Sequence, residues 1–175
     1  MDDSTRQEMI DRAYALAYEY EGTYGCCPQC VLAAIDGVFG GVGDEVFKAS
    51  YGLAGGGGLS TQGTCGALAG GMLALGTRYG REREAFANGS RMNAFKIANE
   101  LLDRFVAEFG SPLCGGVQAR IMGRSFDMWD KKDYAVFEEA GGHADKCTNV
   151  AGKAAMFTAQ LLLETQEKEQ KRAAR

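Results

Sequence analysis

The sequence lacks any apolar run that approaches the roughly 20 residues needed to cross a bilayer. Its opening residues, MDDSTRQEMIDR, also lack the apolar core of a signal peptide. The formal net charge at pH 7 is −4, which argues against general binding to nucleic acid or to membrane surfaces. We therefore expect a soluble, cytoplasmic protein that neither inserts into a membrane nor binds nucleic acid.

Sustained alternation of apolar and polar residues is also missing, as are tandem repeats and linkers. Apolar residues instead recur at helical spacing, and 175 residues suffice for one hydrophobic core. We therefore predict an all-α fold in which residues 1–175 form a single-domain bundle of about six or seven helices. A glycine-rich loop precedes the central helix of this bundle.

Capping and breaking residues predict the helix boundaries. Ser4 or Thr5 would cap the first helix, which would end near Gly22. Cys27 would be the N-cap of the second helix, because proline is favoured at the first helical position. The remaining helices are predicted from Asp44 to about Tyr51, from Cys65, from the Ser90 cap to Gly110, from about Cys114, from Asp133 to Glu139, and from near Cys147.

The glycine-rich stretch from Leu53 to Leu75 is the most unusual part of the chain. Glycine is costly to order, so its density predicts close backbone approaches or unusual φ values. The small residues after Cys65 are explained by close helix packing. Gly55 to Gly58, before it, fit a loop wrapped against a site. The Lys-Ser/Thr ending of a phosphate-binding P-loop is missing.

Six cysteines are the most informative residues if the protein lies in a reducing compartment. Structural disulfides are rare there, so clustered cysteines more often indicate metal binding or redox chemistry. Cys27, Cys65, Cys114 and Cys147 each lie at or just before a predicted helix start. Helix N-termini favour thiolates, and we expect the pKa of Cys27 to be lowered there. Cys26 and Cys30 lie beside Cys27.

The cysteine pattern resembles that of the redox-active proteins named for the motif C_GCAxxG_C_C. The resemblance runs roughly from Tyr14 to Ala155. It rests on Cys27 with Gln29 and Val31, on Gly63-Thr64-Cys65-Gly66-Ala67 with Gly70, on Phe109-Gly110-Ser111 before Cys114, and on Cys147. Cys26 and Cys30 depart from the pattern as additions. Similar domains occur in split-Soret cytochromes, where an iron–sulfur cluster has been assigned to them.

The resemblance implies a shared redox site that holds an iron–sulfur cluster for electron transfer, with Cys27, Cys65, Cys114 and Cys147 as ligands. Backbone groups of Gly63, Thr64 and Gly66 would lie against this cofactor and donate to its sulfurs. Electron transfer would also require a redox partner protein. His143, the only histidine, would either replace one cysteine as ligand or be an exposed loop residue.

Two alternatives remain open at the level of the sequence. In a thiol–disulfide oxidoreductase, Cys27 would be the nucleophile and Cys30 the resolving thiol. This reading leaves three other cysteines without a role. In the second alternative, a non-enzymatic helical module holds structural zinc, or simply buries its thiols without a cofactor.

Overall fold

The all-α prediction is confirmed by a computed structural model that describes residues 2–88 and 92–174. Within these ranges the chain forms eight α-helices and no β-strand; the one isolated bridge pairs Thr64 with Leu113. The helices are α1 (Asp3–Tyr24), α2 (Cys27–Phe39), α3 (Asp44–Ala49), α4 (Gly66–Tyr79), α5 (Met92–Phe109), α6 (Cys114–Met122), α7 (Lys131–Glu139) and α8 (Cys147–Ala173).

The first two helices begin and end differently from the prediction. Asp2, not Ser4 or Thr5, caps α1 by accepting a 2.8 Å hydrogen bond from the Thr5 N–H. The helix continues past Gly22 to Tyr24, and the N-cap of α2 is Cys26 rather than Cys27. The predicted Ser90 cap lies outside the described residues.

Helix α8 forms the centre of the bundle, since it packs against α1, α2, α4 and α5. The predicted apolar faces of these helices are buried in one core cluster. Phe95 is an exception, because it is 64% exposed although it belongs to the predicted stripe of α5. The core includes Ile10, Ala17, Val31, Ile35, Leu68, Leu75, Phe105, Phe109, Val150, Ala154 and Leu161.

The small residues of α4 allow the close packing that the sequence predicts. A Cβ at Gly70 would lie 2.6 Å from the Pro28 carbonyl oxygen of α2. A Cβ at Gly71 would lie 2.5 Å from the Thr158 Oγ1 of α8. Such distances are too short for real side chains, so α4 must be glycine-rich to lie between these two helices.

The segment before α8 contains a turn that the sequence did not predict. Residues 142–146 form a π-helical turn that runs directly into α8. The Cys147 N–H donates to the Gly142 carbonyl, so Cys147 begins the α-helix without lying at a free N-terminus. The predicted start of the last helix near Cys147 is confirmed, and the π-helical turn that precedes it was not predicted.

None of the helices in the described ranges is both long and apolar enough to cross a membrane.

Candidate functional site

The four predicted ligand cysteines line a single cavity of about 730 Å³. Cys27 is the first residue of α2, Cys65 is the N-cap of α4, and Cys114 and Cys147 begin α6 and α8. Cys65 and Cys114 are buried, whereas Cys27 and Cys147 are half-buried. The fold therefore brings together four sulfurs that lie up to 120 positions apart in the chain.

Two short loops hold Cys65 and Cys114 side by side. The Cys65 N–H donates to the Pro112 carbonyl at 2.8 Å, and the Cys114 N–H donates to the Gly63 carbonyl at 2.9 Å. Between these bonds, Thr64 forms the isolated bridge with Leu113. The entries to α4 and α6 are thereby fixed to each other before either helix begins.

Gly63, Thr64 and Gly66 support the cysteines and do not line the cavity. A Cβ at Gly66 would lie 2.5 Å from the Cys27 sulfur, so the glycine lets α2 and α4 meet there. Their predicted role against a cofactor stays a prediction. Gly55 lines the cavity, and its N–H hydrogen-bonds to the Cys27 sulfur.

Gly56 approaches another cysteine of the site from the glycine-rich loop. It adopts a φ of 79°, in the left-handed region that favours glycine. A Cβ there would lie 2.9 Å from the Cβ of Cys114. The loop before α4 thus wraps tightly around the cysteines, as the glycine density suggests.

The thiols of the cavity resist ionisation. Burial raises the pKa of Cys65 to about 11, although the N–H groups of Ala67 and Leu68 lower it. Burial, with the charges of Cys65 and Glu21, raises the pKa of Cys114 to about 12. The pKa of Cys27 is also raised by burial and then by Glu21 and Cys65, so the prediction of a lowered pKa there is wrong.

Cys27 and Cys30 have different partners. Cys27 packs against Gly66 and interacts electrostatically with Cys65 and Cys147. Cys30 donates to the Gly25 carbonyl at 2.8 Å and hydrogen-bonds to the Glu21 carboxyl. Cys27 is therefore the cysteine of this segment that joins the other three. Cys27 and Cys30 are both free thiols, so the alternative of a Cys27–Cys30 dithiol stays a prediction.

Glu21 is the residue of the site that the sequence prediction missed. It lines the cavity, yet only 2% of its surface is exposed. Burial raises the pKa of Glu21, an effect that Cys30 and His143 partly offset. A signal was present in the sequence: Glu21 continues the buried face of Ile10, Ala13 and Ala17 at helical spacing.

His143 also lines the cavity and is half-buried in the π-helical turn, so its description as an exposed loop residue is wrong. Its Nδ1 lies 2.6 Å from Glu138 Oε1, and its Nε2 lies 3.9 Å from Glu21 Oε1. Burial raises the pKa of Glu138, but hydrogen bonds from Tyr134 and His143 outweigh it, and the pKa is lowered overall.

With this geometry established, comparison with known proteins gives the class of the chain. Residues 25–161 match the model of a family described as "Putative redox-active protein (C_GCAxxG_C_C)". The protein belongs to this family, and the match spans all six cysteines. No curated protein and no solved structure matches the chain.

Proposed function

We propose that Cys27, Cys65, Cys114 and Cys147 hold an iron–sulfur cluster and that the protein transfers electrons to or from a cytoplasmic partner protein. The observation that carries this proposal is the convergence of four thiols from four separate elements on one cavity. A set of four thiolates is the usual protein ligation of both two-iron and four-iron clusters.

The four cysteine thiols are chemically suited to hold an iron–sulfur cluster. Four neighbouring thiolates in a buried site would repel one another, which is why burial and mutual charge keep the bare thiols protonated. A bound metal centre supplies the positive charge that removes this repulsion and displaces the protons. Membership in a redox-active family agrees with this chemistry.

The described side chains do not form a ready site for a single zinc ion. Within residues 2–88 and 92–174, no three or more His, Cys, Asp or Glu side chains are grouped so that they could hold one metal ion. Zinc needs four ligands at about 2.0–2.3 Å from one point. In a cluster each thiolate binds its own iron atom, so the four sulfurs need not meet at one point, and the four cysteines line one cavity.

Several backbone groups would tune this site. When bound, the cluster would supply one-electron chemistry. The N–H groups of Ala67 and Leu68 donate toward the Cys65 sulfur, and that of Gly55 donates toward the Cys27 sulfur. Such hydrogen bonds stabilise negative charge on sulfur and favour the reduced state. The burial of Cys65 and Cys114 keeps water from these sulfurs.

Metal analysis of anaerobically purified protein tests the proposal. We expect iron and acid-labile sulfide together with visible absorption. Cys65→Ser should lose most of both, because Cys65 interacts with each of the other three thiols of the set. Colourless protein without iron or sulfide, even after anaerobic reconstitution, would overturn the assignment.

Cys27 and Cys30 provide a matched pair within one turn of α2. Cys27→Ser should lower the iron content as strongly as Cys65→Ser, since its sulfur faces the group. Cys30→Ser should retain the iron, since that thiol contacts Gly25 and Glu21. Equal iron loss in both variants would contradict the proposed ligand set.

A further inference from the structure

Large apolar side chains that are exposed to solvent cluster at the mouth of the cavity. Of the eleven such side chains in the described ranges, five line this one opening. They come from α1, from α3 and the turn that follows it, from the loop before α7, and from α7 itself. Contiguous exposed apolar groups mark binding surfaces, whereas scattered ones do not. We call these five side chains, Tyr24, Phe47, Tyr51, Trp129 and Tyr134, the aromatic rim.

Trp129 is held in place within the aromatic rim although 74% of its surface is exposed. Its indole N–H donates to the Gly58 carbonyl at 2.9 Å, which joins the loop before α7 to the glycine-rich loop. The polar group of this side chain is thereby used, so the ring offers a ligand its apolar face. Aromatic rings pack on one another in offset or edge-to-face contacts.

Two further rings continue the aromatic rim inside the cavity. Tyr20 lies about one turn before Tyr24 on α1, and their ring centroids are 6.0 Å apart. Phe137 lies about one turn after Tyr134 on α7, and their ring centroids are 5.8 Å apart. All four side chains line the cavity. Two helices therefore each present a pair of rings to the same space, and a flat aromatic ligand can contact both pairs.

The described residues of the cavity wall offer a ligand no accessible charge of either sign. There is no lysine, arginine or aspartate among them. Glu21 is the one carboxyl, but only 2% of its surface is exposed, it hydrogen-bonds to Cys30, and burial raises its pKa, which favours the neutral form. A positive charge on the His143 ring would be balanced by Glu138 at 2.6 Å. A charged ligand would therefore lose its hydration without gaining an opposite charge.

The cavity is large enough for a small organic molecule. Its volume of about 730 Å³ lies in the range of small-molecule sites. We propose that the aromatic rim and the two inner rings bind a neutral, planar aromatic molecule about the size of a fused ring pair. The proposal goes beyond the cluster, because it rests on the rings and on the lack of charge and not on the thiols.

Calorimetric titration with ligands that share one ring system tests the preference for a neutral molecule. The ligands are naphthylmethanol, naphthylmethylammonium and naphthoate, and the full-length protein is treated with chelator so that no bound metal adds charge. We expect saturable binding of the alcohol. Both ions should bind more weakly by about tenfold or more, because each would be desolvated without a partner. Absence of saturable binding by the alcohol, or equal or tighter binding of either ion, would overturn the proposal.

The saturated decahydronaphthyl analogue of the alcohol tests the preference for an aromatic ligand. It keeps the apolar surface but lacks the aromatic faces, so it should bind more weakly by about threefold or more. Equal affinity would refute a site built for rings.

Trp129 reports the position of the ligand directly. It is the only tryptophan of the chain, so its indole N–H gives a single signal in NMR spectra of isotope-labelled protein. We expect this signal to shift when naphthylmethanol is added. Saturable binding without a shift would place the ligand elsewhere and refute the proposal.

Variants of exposed rings provide a matched control. Tyr51→Ala and Trp129→Ala each remove a ring of the aromatic rim and should weaken binding of naphthylmethanol about threefold. Phe95→Ala removes a ring of α5 that is 64% exposed and lies outside the cavity, so it should have no effect. Because all three side chains are exposed, we expect the variants to fold. Equal affinities in the rim variants and the control would contradict the proposed site.

Iron and sulfide measured on the protein as purified separate this proposal from the cluster. Iron-free protein that binds naphthylmethanol would retain this site and remove the cluster. Iron-loaded protein whose chelator-treated form does not bind naphthylmethanol would retain the cluster and remove this site.

Discussion

At the scale of single residues, two glycines of α4 have opposite environments. A Cβ at Gly66 would lie 2.5 Å from the Cys27 sulfur, 2.8 Å from Pro28 Cδ and 3.1 Å from the Leu53 carbonyl oxygen. A Cβ at Gly76 would meet no atom within 4 Å. Glycine is therefore required at the first position by its neighbours, whereas at the second it only weakens the helix.

We expect Gly66→Ala to lower the free energy of unfolding by about 1–3 kcal/mol, the usual cost of forcing extra atoms into a packed site. The matched control, Gly76→Ala, should raise it by about 0.5–1 kcal/mol, because alanine is the better helix former. Urea denaturation followed by circular dichroism measures both. Effects of the same sign would show that α2 and α4 do not meet as described.

Properties of single residues could be predicted from the sequence where a local sequence signal determines them. The grouping of the four cysteines could be predicted because each lies near a helix-start signal such as Pro28. The raised pKa of Cys27 could not, because burial opposes the helix terminus and burial depends on the whole fold. Glu21 was missed because a carboxylate on an apolar face is normally at the solvent edge.

At the scale of elements, helix α7 is fastened to the loop that precedes it through Asp133. Its carboxylate accepts from the Arg124 guanidinium and, at 2.6 Å, from the Asp127 N–H. The same guanidinium lies 4.1 Å from the ring centroid of Phe126. These contacts of Asp133 and Arg124, called the clasp below, position Trp129 of the loop at the mouth of the cavity.

We expect Asp133→Asn to lower the thermal midpoint near neutral pH by on the order of a few degrees. The hydrogen bonds from Arg124 and Asp127 lower the pKa of Asp133. A lowered folded-state pKa contributes stability that is present above the ordinary aspartate pKa and is lost as the pH falls through the folded value. The difference between the two proteins should therefore shrink in acid.

Thermal melts at neutral pH and at about pH 3 measure this difference. Glu139→Gln, on the exposed side of the same helix, is the control and should change the midpoint little at either pH. A difference between the parent and Asp133→Asn that grows in acid would contradict the described clasp.

Helices with clear periodicity and terminal glycines were predictable as elements, whereas connections that depend on tertiary contacts were not. Gly110 ends α5 with a φ of 75°, as its position predicted. The loop before α7 is ordered by Asp133 and by the edge-to-face contact of Phe126 with Phe137, whose ring centroids are 5.7 Å apart. Neither interaction leaves a periodic pattern in the sequence.

At the scale of the whole molecule, the candidate site joins elements that pack little with one another elsewhere. Helix α6 contacts α5, while α2, α4 and α8 form the central bundle. The cysteine cavity adds α6 to that bundle through Cys114 and the bridge at Thr64. A group bound by all four cysteines would therefore cross-link the fold.

A ligand that binds only the folded chain raises its stability in proportion to the logarithm of its affinity. We expect iron-loaded protein to melt about 5–15 °C above chelator-treated protein in anaerobic calorimetry, given the usual shift per kcal/mol for a chain of this size. Amide exchange should slow most at residues 54–66 and 111–116, which carry the cysteine contacts. The C-terminal turns of α8, far from the cavity, should exchange equally in both forms. Cys114→Ser removes the ligand that joins α6 to the bundle, so the thermal midpoint of this variant should respond much less to iron. An undiminished response would show that the stabilising metal lies outside the four-cysteine site.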